Sequence, residues 1–160
     1  MSDAPILALD LARNTGWACG RPGETPHMGI SALAPGEKSY GAIGGALEDW
    51  LWGMIDITKP SLIVFEAPLP AHNGIAAGRI ALGLSMIVEM CGFRRDIVTR
   101  ECAVTTVRKR VVGSGRAKKE DVMKWCIEQG WRPPGHDAAD AAALWKLACD
   151  VRVSGNVMQL

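Results

Sequence analysis

Ile6-Leu7-Ala8-Leu9-Asp10 is a short apolar run that ends on an acid, and Leu62-Ile63-Val64-Phe65-Glu66 repeats the pattern further along the chain. Runs of this length, bounded by turn residues, read as buried strands. If the two strands are parallel neighbours, both carboxylates stand at the carboxyl edge of a sheet, where open α/β folds place their ligands. Outward from the first run, Asn14-Thr15-Gly16 is a turn signal, and Trp17-Ala18-Cys19 resumes apolar character, as in a hairpin. Pro22-Gly23 and Pro26 break the chain, and His27 to Leu33 is a third strand candidate. The expected start is three antiparallel strands.

Around the second run, Pro35 to Ser39 opens a helical stretch with Ile43, Leu47, Trp50, Leu51, Met54 and Ile55 at helical spacing, stopped by Pro60. Pro68 and Pro70 force a loop after Glu66. A helix is expected from about Gly74 to Met90, and its small residues (Ala76, Ala77, Gly78, Ala81, Gly83) suggest close packing against another element. Asp96 to Thr99 reads as a strand and Cys102 to Arg110 as a helix. Val112 to Gly115 reads as a flexible link, Lys118 to Gln129 as an amphipathic helix, and His136 to Asp150 as an alanine-rich final helix. The order is that of an α/β fold with a five-stranded mixed sheet flanked by helices. The expected layout is one domain over residues 1–152 and a flexible tail over 153–160.

The 160 residues are 48% hydrophobic and 22% charged, as in a globular domain. The net charge of +1, from 18 basic and 17 acidic residues, neither demands nor forbids a nucleic-acid partner. The bases concentrate between Arg94 and Arg116. Cys19, Cys91, Cys102, Cys126 and Cys149 have neither CxxC nor zinc-ligand spacing, so reduced thiols and a cytoplasmic location are expected. There is no signal-peptide pattern and no uninterrupted run of about 18 apolar residues, so no membrane association is expected. Walker-type, GxGxxG and GxSxG motifs are absent.

Asp137 and Asp140, three apart on the last helix, project from one face. Four acids brought together repel unless a cation sits among them. An oxygen-only ligand set suits Mg²⁺ or Mn²⁺, and two such ions about 3.5–4 Å apart can cleave a phosphodiester. The alternative is local: an acid at a strand end can cap a loop, and an Asp at a helix start can be an N-cap. Spacing alone leaves the two readings balanced.

Four segments carry a family resemblance. ILALDLARNTGWA, LIVFEAPLPAHN, VRKRVVGSGRAKKEDV and HDAADAAALW resemble, in this order, the metal-binding opening strand, the strand of the catalytic Glu, the basic stretch with its Gly-x-Gly link, and the closing helix of the RuvC-type Holliday-junction resolvases. They span nearly the whole chain. The resemblance implies an RNase H-like fold and a metal-dependent endonuclease, active as a homodimer on branched DNA and above all on four-way junctions. It implies Asp10, Glu66, Asp137 and Asp140 as ligands of two Mg²⁺ or Mn²⁺ ions and Lys119 as the active-site lysine that stabilises charge on the phosphate. It implies DNA contacts from Arg108, Lys109, Arg110, Arg116, Lys118, Leu69 and Asn73. His136, beside the first Asp of the final pair, is read as a helix cap, with contact to a metal or phosphate as the alternative.

The chain departs from the family in two places. Arg108 stands where the family has a functional lysine, and a planar guanidinium that keeps its proton is not a simple substitute. Leu69 stands where better-known bacterial members carry a junction-wedging aromatic; it can act as an apolar wedge but cannot stack on a base. The six tryptophans are expected in the core or at a dimer contact. The rival readings are an RNase H-like nuclease acting on RNA or other branched DNA, an ATP-binding domain of the actin/sugar-kinase type, and a catalytically silent DNA-binding module. The kinase type shares the strand-then-Asp opening, but the chain is short for two such lobes and lacks a second Asp-x-Gly motif.

Overall fold

In the computed structural model, which describes residues 3–69, 74–153 and 160, five strands form one sheet in the order β3-β2-β1-β4-β5. They are β1 (Ile6–Asp10), β2 (Asn14–Gly20), β3 (His27–Ala32), β4 (Leu62–Glu66) and β5 (Val98–Cys102). β1, β2 and β3 pair antiparallel, whereas β1 with β4 and β4 with β5 pair parallel. The expected mixed sheet and three-strand antiparallel start are both present. Asn14-Thr15-Gly16 lies inside β2, not in the turn, which falls on residues 11–13. These residues are paired, Asn14 with Ala32 of β3 and Gly16 with Asp10 of β1, so the turn is confined to the three residues before them.

The helices are α1 (Tyr40–Thr58), α2 (Ile75–Arg94), α3 (Val104–Val107), α4 (Lys119–Glu128) and α5 (His136–Val153). α1 starts where the Ser39 hydroxyl accepts from the Ala42 N–H at 3.3 Å, and it ends on Lys59 in the left-handed conformation before Pro60. α2 runs past the expected Met90 because Cys91 and Gly92 are still buried against β5, where a Cβ on Gly92 would meet Thr99 Cγ2 at 2.4 Å. β5 accordingly begins at Val98, and Cys102, expected in a helix, is its last residue. The expected Cys102–Arg110 helix is the single turn of α3, continued by a wider turn over Arg108–Val112 that closes on Gly113 at φ 98°. The expected tail lies outside the described residues, except that Val153 ends α5 and Leu160 packs, partly buried, on the core.

Strand alternation splits the core in two. Leu7, Leu9, Ile63 and Phe65 face Ile43, Leu47, Leu51 and Ile55 of α1 and Leu84 and Val88 of α2. Ile6, Ala8, Leu62 and Val64 face the other way, onto α5. Each fully buried Leu, Ile or Phe among them contributes about 1.5–3 kcal/mol. α5 is buried nearly all round, which explains its alanines: a helix pressed on the sheet by one side and on α4 by the other needs small side chains. Trp125, Trp131 and Trp145 form an edge-to-face chain, with centroids 5.3 and 5.8 Å apart, that ties α4 to α5, and the Trp145 ring N–H donates to the Gly20 carbonyl at 3.2 Å. All five cysteines are free and buried.

α2 is long and apolar enough to cross a membrane by length and composition alone. Its apolar character has two sources. One face is core. On the other, Ile75, Leu82, Met86 and Phe93 are 88, 61, 71 and 87% exposed. Their spacings of seven, four and seven place them on one line along the helix.

Candidate functional site

The register of β1 on β4 pairs Leu9 with Phe65, so the next residues, Asp10 and Glu66, end side by side at the carboxyl edge of the sheet. Two residues beyond Ala8 and Val64, both carboxylates share the face covered by α5. α5 brings Asp137 from its first turn and Asp140 three residues further on, on the same face. Its approach is set by Gly16 of β2: a Cβ there would lie 2.0 Å from the Asp137 carbonyl oxygen and 2.8 Å from the Ala138 nitrogen. The strand can touch the start of α5 because that position has no side chain. Thr15, fully buried, donates its hydroxyl to the Ala12 carbonyl at 2.7 Å and fixes the turn after Asp10.

The four acids line one cavity of about 510 Å³, together with Arg108 and Lys119. Burial pushes the Asp10 carboxyl up to about 7, helped by the negative charges of Asp140 and Asp137. Glu66 is pushed well above the usual carboxylate range, first by burial and then by Asp10. The two share a hydrogen bond that favours the proton on Glu66. Burial also raises Asp140, against the opposing charges of Arg108 and Lys119. Oxygen-only donors whose charged forms are penalised by burial and by one another are the set that a divalent cation relieves. Among the described residues no three acids, histidines or cysteines already converge as a closed metal cage. The donor chemistry itself fits Mg²⁺ or Mn²⁺, with Asp10, Glu66, Asp137 and Asp140 as the residues able to hold it.

Lys119 is the first residue of α4, exposed on the cavity rim. The Asp121 carboxylate accepts from the Lys118 N–H at 2.8 Å and closes that helix start. Arg108 Nη1 donates to the Ala117 carbonyl at 2.9 Å, and Nη2 lies 3.9 Å from Asp140 Oδ1. Lys109, Arg110, Arg116 and Lys118 are not part of the cavity wall; Lys109, Arg110 and Lys118 are exposed, and so is Arg116. Leu69 lines the cavity and is 56% exposed; Asn73 lies outside the described residues. His136 is the first residue of α5, whose first backbone bond runs from the Ala139 N–H to the Gly135 carbonyl at 3.0 Å. The His136 ring is near enough for its charge to favour ionised Asp140.

Sequence reading misses three parts of the wall. Arg13 lines the cavity from the turn after β1 and donates to the Glu37 carbonyl. The signal for it is a cation three residues beyond a strand-end acid, at the sheet edge that collects ligands. Val104, before the wide turn, reads in the sequence only as part of a helix. Ala77, Gly78 and Ala81 of α2 also line the cavity, so these small residues of the helix leave room in the cleft.

An RNase H-like sheet with acids on β1, β4 and the closing helix defines the class. No family model matches the sequence. A crossover junction endodeoxyribonuclease RuvC of Chlamydia pneumoniae is 29% identical over 103 residues, a match that spans 61% of this chain and 61% of that relative. The Thermus thermophilus RuvC structure superposes with a TM-score of 0.74 at 17% identity, over 94% of this chain and 96% of that one. The same protein in complex with a Holliday junction substrate gives 0.76 at 15% identity over the same shares. The yeast mitochondrial Holliday junction resolvase gives 0.68 at 10% identity, over 98% of this chain and 82% of the other. The chain is thus similar in sequence to one RuvC over part of its length, and it shares the fold of these resolvase structures over nearly all of it.

Proposed function

We propose that this chain is a metal-dependent endodeoxyribonuclease of the RuvC type, which nicks four-way DNA junctions as a homodimer. The observation that carries the proposal is the convergence of Asp10, Glu66, Asp137 and Asp140 on one cavity with Lys119 at its rim. Two Mg²⁺ or Mn²⁺ ions, held by those four carboxylates, would supply Lewis acidity and an activated water for phosphodiester hydrolysis. The chain's own residues do the rest. The carboxylates fix the donor geometry from two rigid strands and one buried helix, so little reorganisation is needed at the moment of reaction. The Lys119 ammonium, on the rim, stabilises charge that develops on the scissile phosphate. The exposed Lys109, Arg110, Arg116 and Lys118 bind the DNA backbone, and Leu69, an exposed residue of the cavity wall, is the apolar wedge at the junction.

The homodimer reading is supported by the exposed line of Ile75, Leu82, Met86 and Phe93 on α2. A row of large apolar side chains on a helix about 30 Å long is a surface a second copy can cover, and two-fold pairing is the commonest assembly.

The test is cleavage of a labelled four-way junction, linear duplex and RNA–DNA hybrid, with Mg²⁺ added or withheld. The expected outcome is paired nicks in the junction alone, only with metal, and none from Asp10→Asn or Asp140→Asn despite retained junction binding. Preferred cleavage of the hybrid would move the substrate to RNA, and full activity of either variant would sink the metal site.

A further inference from the structure

Arg108 is committed to the protein in two directions. Its side chain is 21% exposed, between two walls of the cavity. Nη1 bonds the carbonyl of Ala117, a buried residue two positions before Lys119. Nη2 faces Oδ1 of Asp140, which is 7% exposed, and its charge also reaches Glu66. A guanidinium can do this because its donors are fixed in a planar fork; a lysine is a single point charge on a flexible stem. Arg108 also starts the wide turn that closes on Gly113, so its backbone position is set by the Gly113 N–H on its own carbonyl at 3.0 Å.

We propose that Arg108 is a positioning residue and an internal counter-cation. It braces the corner that presents Lys119 against the helix that presents Asp140. It also competes with the metal for Asp140, instead of gripping a DNA phosphate. The proposal rests on the metal-site reading of the cavity.

The full chain is tested in three ways: Mn²⁺ binding by calorimetry, junction binding by gel shift in chelator, and single-turnover cleavage. In Arg108→Met the chain keeps a side chain of similar reach and loses the charge. Mn²⁺ affinity is then expected to rise about tenfold, since an adjacent unit charge shifts a carboxylate's balance by about that much or more. Junction affinity in chelator, and its salt slope, are expected to stay unchanged, because Arg108 holds no phosphate. Cleavage is expected to fall. Arg108→Lys restores the charge without the fork, so Mn²⁺ affinity returns to the wild-type value while cleavage stays low.

Weaker junction binding in chelator with a reduced salt slope and unchanged Mn²⁺ affinity would make Arg108 a phosphate ligand and overturn the proposal. Full cleavage by Arg108→Lys would remove the brace. If Arg108→Met does not fold by circular dichroism, Arg108→Gln carries the same comparison. A wild-type chain that binds no Mn²⁺ sinks the metal-site reading, and this proposal with it. A wild-type chain that binds Mn²⁺ beside variants of unchanged Mn²⁺ affinity sinks this proposal alone.

Discussion

At the scale of single residues, Asp10 shows how position alters chemistry. Its carboxyl is raised to about 7 by burial and by its acidic neighbours, against 3.8 for an ordinary aspartate. Between those values the folded chain binds a proton that the unfolded chain has released, so metal-free stability falls as pH rises through that window. A shift of this size is on the order of a few kcal/mol. Thermal unfolding in chelator is therefore expected to give a higher Tm at pH 5 than at pH 7.5, with added Mg²⁺ stabilising more at the higher pH; a Tm that climbs over that range would contradict it. Gly16 is the second residue-scale case. Gly16→Ala drives a methyl into the Asp137 carbonyl, so the start of α5 must move. The expected cost is about 1–3 kcal/mol, an overpacking penalty, read as a Tm lowered by several degrees, with loss of cleavage because Asp137 is displaced. Unchanged stability and activity would show that α5 yields freely.

At the scale of elements, α2 does two jobs with one sequence. Ala77, Gly78 and Ala81 leave space in the cleft, and Leu84, Val88 and Cys91 fill the core. That leaves Ile75, Leu82, Met86 and Phe93 facing outward. Charging the middle of this line with Leu82→Glu and Met86→Glu is expected to convert dimer to monomer in analytical ultracentrifugation, with a Tm lowered only by the stabilisation the dimer supplied, since neither side chain is in the core of the single chain. A variant that sediments as the wild type would place any dimer interface elsewhere. The helix is legible as a helix because its apolar residues are continuous. Its exposed face is not legible, because periodicity reports that a residue is apolar and not which of two apolar faces meets the sheet. The same limit explains the region after β5. The helix expected over Cys102–Arg110 is instead a strand end, one α turn and one wider turn that runs on to Val112. Nothing local announces a wide turn, whose first residue, Arg108, reaches Ala117 and Asp140 across the fold.

At the scale of the whole molecule, the near-neutral charge is a sum over unlike surfaces. The acids of the site are gathered in the cavity, while Lys109, Arg110, Arg116 and Lys118 stand exposed on the stretch between α3 and α4. Reversing two of them together, Lys109→Glu with Arg110→Glu, is expected to weaken junction binding in chelator. The dependence of log affinity on log salt should be reduced by about 0.9 for each phosphate that is no longer neutralised. A gel-shift titration over salt concentration checks it, and an unchanged slope would place the DNA path elsewhere.

The sequence by itself determined the apolar strands β1 and β4 and their two strand-end acids, because apolar runs and the turn residues that bound them are local properties that survive without a partner. It also presented Asp137 and Asp140 on one helical face, since three-residue spacing fixes that within a single element. The tertiary structure decided that these two pairs meet. The parallel register of β1 on β4 sets Asp10 beside Glu66. The bare backbone of Gly16 lets α5 close on β2. Register and helix approach join distant parts of the chain, and no periodicity within either part encodes them. Arg13 belongs to the same category: an ordinary turn cation in the sequence, it becomes part of the site when α5, α2 and the turn after β5 enclose the end of β1.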